Sequence, residues 1–282
     1  MNNRPIGFFD SGMGGLSVRA EVVRTLPAES TVYFGDGANV PYGPRHKDEI
    51  IELVDSAVAR LIDEKVVKMV VVACNTATGS AIDHLRAKYD IPIVGMEPAV
   101  KLAALTTRTG TVGVLATAAA FDGSLYRATS AQYRDKVRIV ESVGEGFVEL
   151  VECDREDTPE AFETVRRVML PMLEAGADRI ALGCTHYPFL AEQICRVIDD
   201  YVALSEPNVD VRIVDSAPAV ARRVGQILAE RSLCADLEIA PRHDFMTFAD
   251  EDYRARLERK SAKVPPMRGH CQSASYYGHP AR

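Results

Sequence analysis

Two cysteines occupy matching places in two similar segments, VVVACNTATG (Val70 to Gly79) and RIALGCTHYPF (Arg179 to Phe189). In each, an apolar run ends at a small residue, then cysteine, then polar side chains: Asn75 and Thr76 follow Cys74, and Thr185 and His186 follow Cys184. An apolar run of this length reads as a buried strand, and the polar residues after it as a strand-to-helix turn. A helix N-terminus beside a thiol lowers its pKa from about 8.5 toward neutrality. That is the range a group needs to take and return a proton near pH 7. His186, two residues past Cys184, and Asp10, if the fold brings it near Cys74, could each accept a thiol proton or hold a charge that tunes it. The pattern suggests one site built from two similar halves, with an acid/base group on each side. A Cys-His nucleophile, as in thiol hydrolases, is the competing chemistry. It needs one cysteine and an orienting Asn or Asp, and leaves the second cysteine unexplained.

Two further segments could contribute to a site. DSGMGGLSV (Asp10 to Val18) follows a strand and precedes a helix. Its spacing is neither G-x-G-x-x-G nor G-x-x-x-x-G-K-[ST]. The glycines could let backbone approach a small anion closely, with Ser11 as donor, and Asp10 could instead be an N-cap. YFGDGANVPYGPR (Tyr33 to Arg45) closes its strand at Gly-Asp-Gly and turns through Pro41, Tyr42 and Gly43, offering a phenol and an unhindered N–H; read alone, it could equally be a surface turn.

Elements that position these residues alternate along the chain. Strands are expected at Ile6 to Asp10, Thr31 to Asp36, VKMVVVAC, Ile91 to Gly95, Thr111 to Thr117, Val137 to Ser142 and DRIALGC; helices at Ser17 to Thr25, Asp48 to Glu64, Gly79 to Lys88 and Pro159 to Ala175. Such alternation implies parallel sheets covered by helices. An internal repeat supports two halves: IGFFDSG aligns with VGVLATA, ACNTATG with GCTHYPF, and IVGMEPAV (Ile93 to Val100) with IVDSAPAV (Ile213 to Val220). The expected architecture is α/β, with two pseudo-symmetric lobes, each a mostly parallel sheet flanked by helices, and an active site between them. Because the last match follows the second cysteine segment, residues 1–97 and 210–258 are assigned to a discontinuous first lobe and 98–209 to an inserted second lobe. The tail, 259–282, lacks periodicity and reads as poorly ordered.

Composition narrows the class. A net charge of −7 with dispersed basic residues leaves no electrostatic footprint for nucleic acid. No apolar stretch approaches the roughly 18 residues of a membrane span, and the N-terminus lacks a signal-peptide core, so a cytoplasmic enzyme with no membrane partner is expected. Six cysteines without a C-x-x-C pair give no expectation of a metal site or a thioredoxin-like motif.

FDSGMGGLSV, GDGANVPYG, ACNTATG, the Glu-Pro-Ala of VGMEPAV, GVLAT and GCTHYPF, in that order, resemble the glutamate racemase family of cofactor-independent aspartate/glutamate racemases, over nearly the whole chain to about residue 230. The resemblance implies that Cys74 and Cys184 flank the substrate α-carbon, one thiolate removing a proton and the opposite thiol delivering one. It assigns Asp10, Ser11, Pro41, Tyr42, Gly43, Asn75, Thr76, Thr117, Thr185 and His186 to substrate binding. It assigns Asp10, His186 and Glu152 to tuning the two thiols, with no cofactor and no metal. Glutamate as substrate, D-glutamate supply for peptidoglycan and a homodimer are further implications; aspartate racemase, or a thiol hydrolase or decarboxylase on the same scaffold, is the alternative. The sequence departs from the family pattern in three places. Ala120 stands where a second threonine is common, Gly144-Glu145-Gly146 replaces a Cys-Pro pair and loosens the match at Glu152, and Gly37 replaces a common threonine.

Overall fold

The computed structural model describes residues 1–205 and 210–264, which divide into two compact α/β units. The first begins with β1 (Ile6–Asp10), α1 (Leu16–Thr25), β2 (Thr31–Gly35), α2 (Lys47–Lys65), β3 (Met69–Val72), α3 (Asn75–Lys88) and β4 (Ile93–Gly95). The second comprises α4 (Val100–Thr106), β5 (Thr111–Ala116), α5 (Ala118–Asp122), α6 (Ser124–Ala131), β6 (Arg138–Val143), α7 (Phe147–Glu152), α8 (Pro159–Glu174), β7 (Arg179–Leu182), α9 (Ala191–Leu204) and β8 (Arg212–Val214). The chain then completes the first unit with α10 (Ala217–Glu230), β9 (His243–Met246) and α11 (Glu251–Ser261).

Both sheets are parallel. Their orders are β4-β3-β1-β2-β9 and β8-β7-β5-β6, so the first four strands of each unit take the same places. The central strands β1 and β3 are continuously buried (IGFFD and MVVV), as strands covered on both faces must be. In the first unit α2 and α3 cover the sheet. Val54, Val58 and Leu61 of α2 and Ala77, Ala81 and Leu85 of α3 share one apolar core with Phe9, Phe34, Val70 and Val72. Helix α2 carries Asp48 and Glu49 in its first turn and Lys65 in its last, matching the helix dipole. In the second unit α8 starts at Pro159 behind Thr158, whose hydroxyl accepts from the Ala161 N–H, and packs against α9. No helix among the described residues is long and apolar enough to cross a membrane.

The expected boundary at 210 is displaced. The first half of the segment IVDSAPAV stays in the second unit: its strand, β8, pairs with β7 in the second sheet, in the place β4 holds in the first. Strand β8 is thus the second unit's counterpart of β4, and the first unit resumes at Ala217, inside the same segment. Helix α3 starts at Asn75 rather than Gly79, since the Cys74 side chain caps it. Strand β9 and helix α11 were not anticipated. Helix α11 takes up 259–261 of the expected tail, whose residues 265–282 lie outside the described residues.

Candidate active site

Strand order dictates where each unit can build a site. In an open parallel sheet, ligands bind beyond the carboxyl ends of strands where the order reverses direction. In the first unit that point lies between β1 and β3, and in the second between β5 and β7. The residues that emerge there are Asp10-Ser11 and Cys74 in the first unit, and Thr117 and Cys184 in the second. The two cysteines therefore hold equivalent positions in their own sheets.

In the first unit, Cys74 is 5% exposed and caps α3, its Sγ accepting from the Ala77 N–H at 3.4 Å. The Ser11 hydroxyl lies 3.6 Å from the same sulfur. Asp10 is fully buried and accepts from the Gly12 N–H at 2.8 Å. Asn75 and Thr76 are the first two residues of α3, and the Asn75 Nδ2 is buried with no hydrogen-bond partner in the protein. Tyr42 is buried against Phe9 and donates to Asp36 Oδ2 at 2.7 Å. Burial first, then the Asp36 carboxylate and the fields of Cys74 and Asp10, push its phenol far above the usual range, so Tyr42 stays protonated and acts as a neutral donor. Gly43 is half-buried and Pro41 exposed, following a cis peptide bond.

In the second unit, Cys184 is 9% exposed and its Sγ lies 3.7 Å from His186 Nδ1. His186 Nε2 lies 2.7 Å from Glu152 Oε1, a length typical of a charge-assisted bond. Burial alone would depress the imidazole; its bonds to Cys184 and Glu152 outweigh that and hold it well above the ordinary histidine value. The result is a carboxylate–imidazole–thiol chain in which His186 can exchange a proton with Cys184. Thr185 is buried beside it. Thr117 caps α5, accepting from the Ala120 N–H at 3.2 Å, so the position where a second threonine is common contributes its backbone here. No α-helix starts directly after Cys184; a 3-10 turn, Tyr187–Leu190, intervenes before α9. The helix-terminus setting expected of both thiols is thus found at Cys74 only.

The departure Gly144-Glu145-Gly146 does not prevent Glu152 from reaching His186. Gly146 takes φ +81° and starts α7, whose last residue is Glu152. Three residues at these strand ends escaped the sequence reading. Asp36 is fully buried inside the quoted GDGANVPYG segment. Asp215 and Ser216, both buried, stand at the end of β8 where Gly95 and Met96 stand at the end of β4, so the repeat carried the signal for them.

Known proteins resemble this chain over most of its length. The Asp/Glu/hydantoin racemase family matches residues 6–224. A glutamate racemase of Deinococcus radiodurans is 44% identical over 248 residues, 87% of this chain and 82% of that protein. Among solved structures, a glutamate racemase isoform from Bacillus anthracis superposes with a TM-score of 0.80 at 27% identity, over 100% of this chain and 99% of the other. The Escherichia coli glutamate racemase in complex with L-glutamate and activator UDP-MurNAc-ala gives 0.79 at 30% identity, over 97% of each.

Proposed function

The chain belongs to the Asp/Glu/hydantoin racemase family and is an isomerase, and from that premise we propose that it interconverts L- and D-glutamate by two-base proton transfer between Cys74 and Cys184. One observation carries the reading: each unit sets a single buried cysteine at the switch-point end of its equivalent strand, with a proton partner beside it. The relatives named above supply the substrate.

An amino-acid α-proton is a very weak acid, and catalysis must remove at least about 8 kcal/mol of the barrier. A single base returns the proton to the face it came from, whereas two bases invert the centre. Starting from L-glutamate, the Cys184 thiolate takes the α-proton and becomes a thiol, while the Cys74 thiol gives its proton to the opposite face and becomes a thiolate. The product is D-glutamate, and the reverse reaction restores the starting protonation. For a second turnover in the same direction the Cys184 thiol gives its proton to solvent and the Cys74 thiolate takes one from solvent; the charged imidazole of His186, held by Glu152, stabilises the Cys184 thiolate so restored. The unpaired Asn75 amide, with Ser11, Thr76, Thr117 and Thr185 and the Tyr42–Gly43 turn, supplies donors for the substrate carboxylates, where each well-placed donor lowers the transition state by about 3 kcal/mol. Asp10 tunes Cys74. The family resemblance alone supports further assignments: a homodimer, a cytoplasmic location, and D-glutamate directed to peptidoglycan.

The Cys184–His186–Glu152 chain also has the composition of a thiol-hydrolase triad, and one experiment separates the two. In D₂O, wild-type protein supplied with L-glutamate should lose optical rotation while deuterium enters the α-position. Cys74→Ala and Cys184→Ala should each abolish racemisation. Full activity in Cys74→Ala, or retained rotation without deuterium uptake by the wild type, would reject the two-thiol mechanism.

A further inference from the structure

We infer that Asp36 is a positioning residue for this reaction: its carboxylate holds the turn that presents Tyr42 and Gly43 to the substrate. The inference rests on the racemase reading above. Its basis is a hydrogen-bonded frame spanning the turn. The Asp36 N–H donates to the Asp10 carbonyl at 3.0 Å, fastening the start of the turn to the end of β1. Asp36 Oδ2 accepts from the Tyr42 hydroxyl at 2.7 Å, and Asn39 Nδ2 donates to both carboxylate oxygens at 3.0 Å. Arg45 closes the far side, its Nε donating to the Asn39 carbonyl at 2.9 Å and its N–H to the Tyr42 carbonyl at 3.1 Å. Tyr42 shares the apolar cluster of Cys74 and packs on Phe9, so the frame is anchored in the same core as the thiol.

Asp36 is 0% exposed, and Arg45, the cation whose field acts on it, directs its guanidinium to Asn39 and Glu49. Burial raises the carboxyl above the ordinary range, while the bonds from Tyr42 and Asn39 and the field of Arg45 oppose that rise. A buried carboxylate kept on neutral donors is costly. Here its two oxygens accept from Asn39 and from Tyr42 at once. An amide cannot replace it: one acceptor oxygen would remain for Tyr42, and an NH₂ would face the Asn39 NH₂.

The test compares wild type, Asp36→Asn, Tyr42→Phe and the swapped pair Asp36→Asn/Asn39→Asp, with KM and kcat measured in both directions and thermal unfolding followed in parallel. Loosening a binding turn removes interactions common to ground and transition states, so KM should rise while kcat holds. The expected result is a rise of about tenfold in KM for both enantiomers in Asp36→Asn, a smaller rise in Tyr42→Phe, and recovery toward wild type in the swapped pair, which restores a carboxylate opposite an amide. Unchanged KM in both Asp36→Asn and Tyr42→Phe overturns the inference. So does a loss of activity that follows thermal stability with no change in KM. Wild-type protein that does not racemise glutamate would defeat the racemase reading itself, a separate outcome.

Discussion

Replacing Gly15 by alanine tests how the glycine-rich segment after β1 works. The Gly15 backbone has φ −63° and ψ −9°, a conformation any residue adopts, so space rather than backbone freedom demands glycine here. A Cβ at this position would lie 2.7 Å from Asp10 Cβ, 2.9 Å from the Ala73 carbonyl oxygen and 3.0 Å from Ala73 Cβ. Carbon atoms in contact prefer about 3.5–4.0 Å. The start of α1 would therefore have to move by roughly 0.5 to 1 Å, against atoms anchored in the backbone of β1 and of the β3–α3 turn. Overpacking of this kind costs about 1–3 kcal/mol, or roughly 2–12 °C in Tm for a protein of this size. The strained atoms belong to Asp10 and to the residue before Cys74. Misplacement of about 1 Å at a reacting group can cost about 100-fold in rate. Gly15→Ala should accordingly lose both stability, by thermal unfolding, and kcat/KM for glutamate, by polarimetry. Gly225→Ala is the control. It lies within helix α10, its Cβ would meet Leu26 at the end of α1 at 3.5 Å or beyond, an ordinary contact, and it should gain up to about 1 kcal/mol from helix propensity. Gly15→Ala with wild-type Tm and kcat/KM would refute the close-approach argument.

Two other expectations follow from the site. His186 has a raised pKa in the folded state, so its charged contact with Glu152 contributes stability fully below the ordinary histidine pKa of about 6.5 and loses it as pH climbs through the raised value. Glu152→Gln should therefore lower Tm at pH 6, with the gap to wild type narrowing by pH 9; a gap that widens with pH would contradict this sign. Gly37 lies under the ring of Tyr253 in α11, where an added Cβ would come within 2.6 Å of three ring carbons. Gly37→Thr, which restores the residue common in the family, should lower Tm by roughly the overpacking cost of 1–3 kcal/mol, and Gly37→Thr/Tyr253→Ala should recover part of the loss. A Gly37→Thr protein as stable as wild type would show that the ring swings aside freely.

The chemistry of the site was more legible in the sequence than its frame. Cys74 and Cys184 stood out because apolar runs ended at them, and the runs became β3 and β7. The third repeat match was visible too, but sequence spacing could not say which sheet it joined. Pairing of β8 with β7 depends on contacts between strands more than thirty residues apart. Strand β9, HDFM, was hidden because an edge strand of four residues with two exposed polar positions carries no apolar run. Asp36 was passed over because a single aspartate after a strand reads as a turn residue; only burial and three hydrogen bonds, from Asn39 and Tyr42, reveal it as a hub. The Glu152–His186 contact links positions 34 apart through α7, a six-residue helix too short to show a period.

The first unit is interrupted after Glu97 and finished only from Ala217 onward. Its edge strand β9 pairs with β2 across more than 200 residues. During synthesis at about 5–20 residues per second, residues 98–216 leave the ribosome as one uninterrupted stretch and can fold at once. The earlier segment must wait for α10, β9 and α11, and closing so long a loop adds to the entropy opposing assembly. Thus the thiol made first, Cys74, sits in the unit completed last. A nascent chain stalled before residue 217 should protect the peptide around Cys184 from proteolysis while leaving the one around Cys74 open to it.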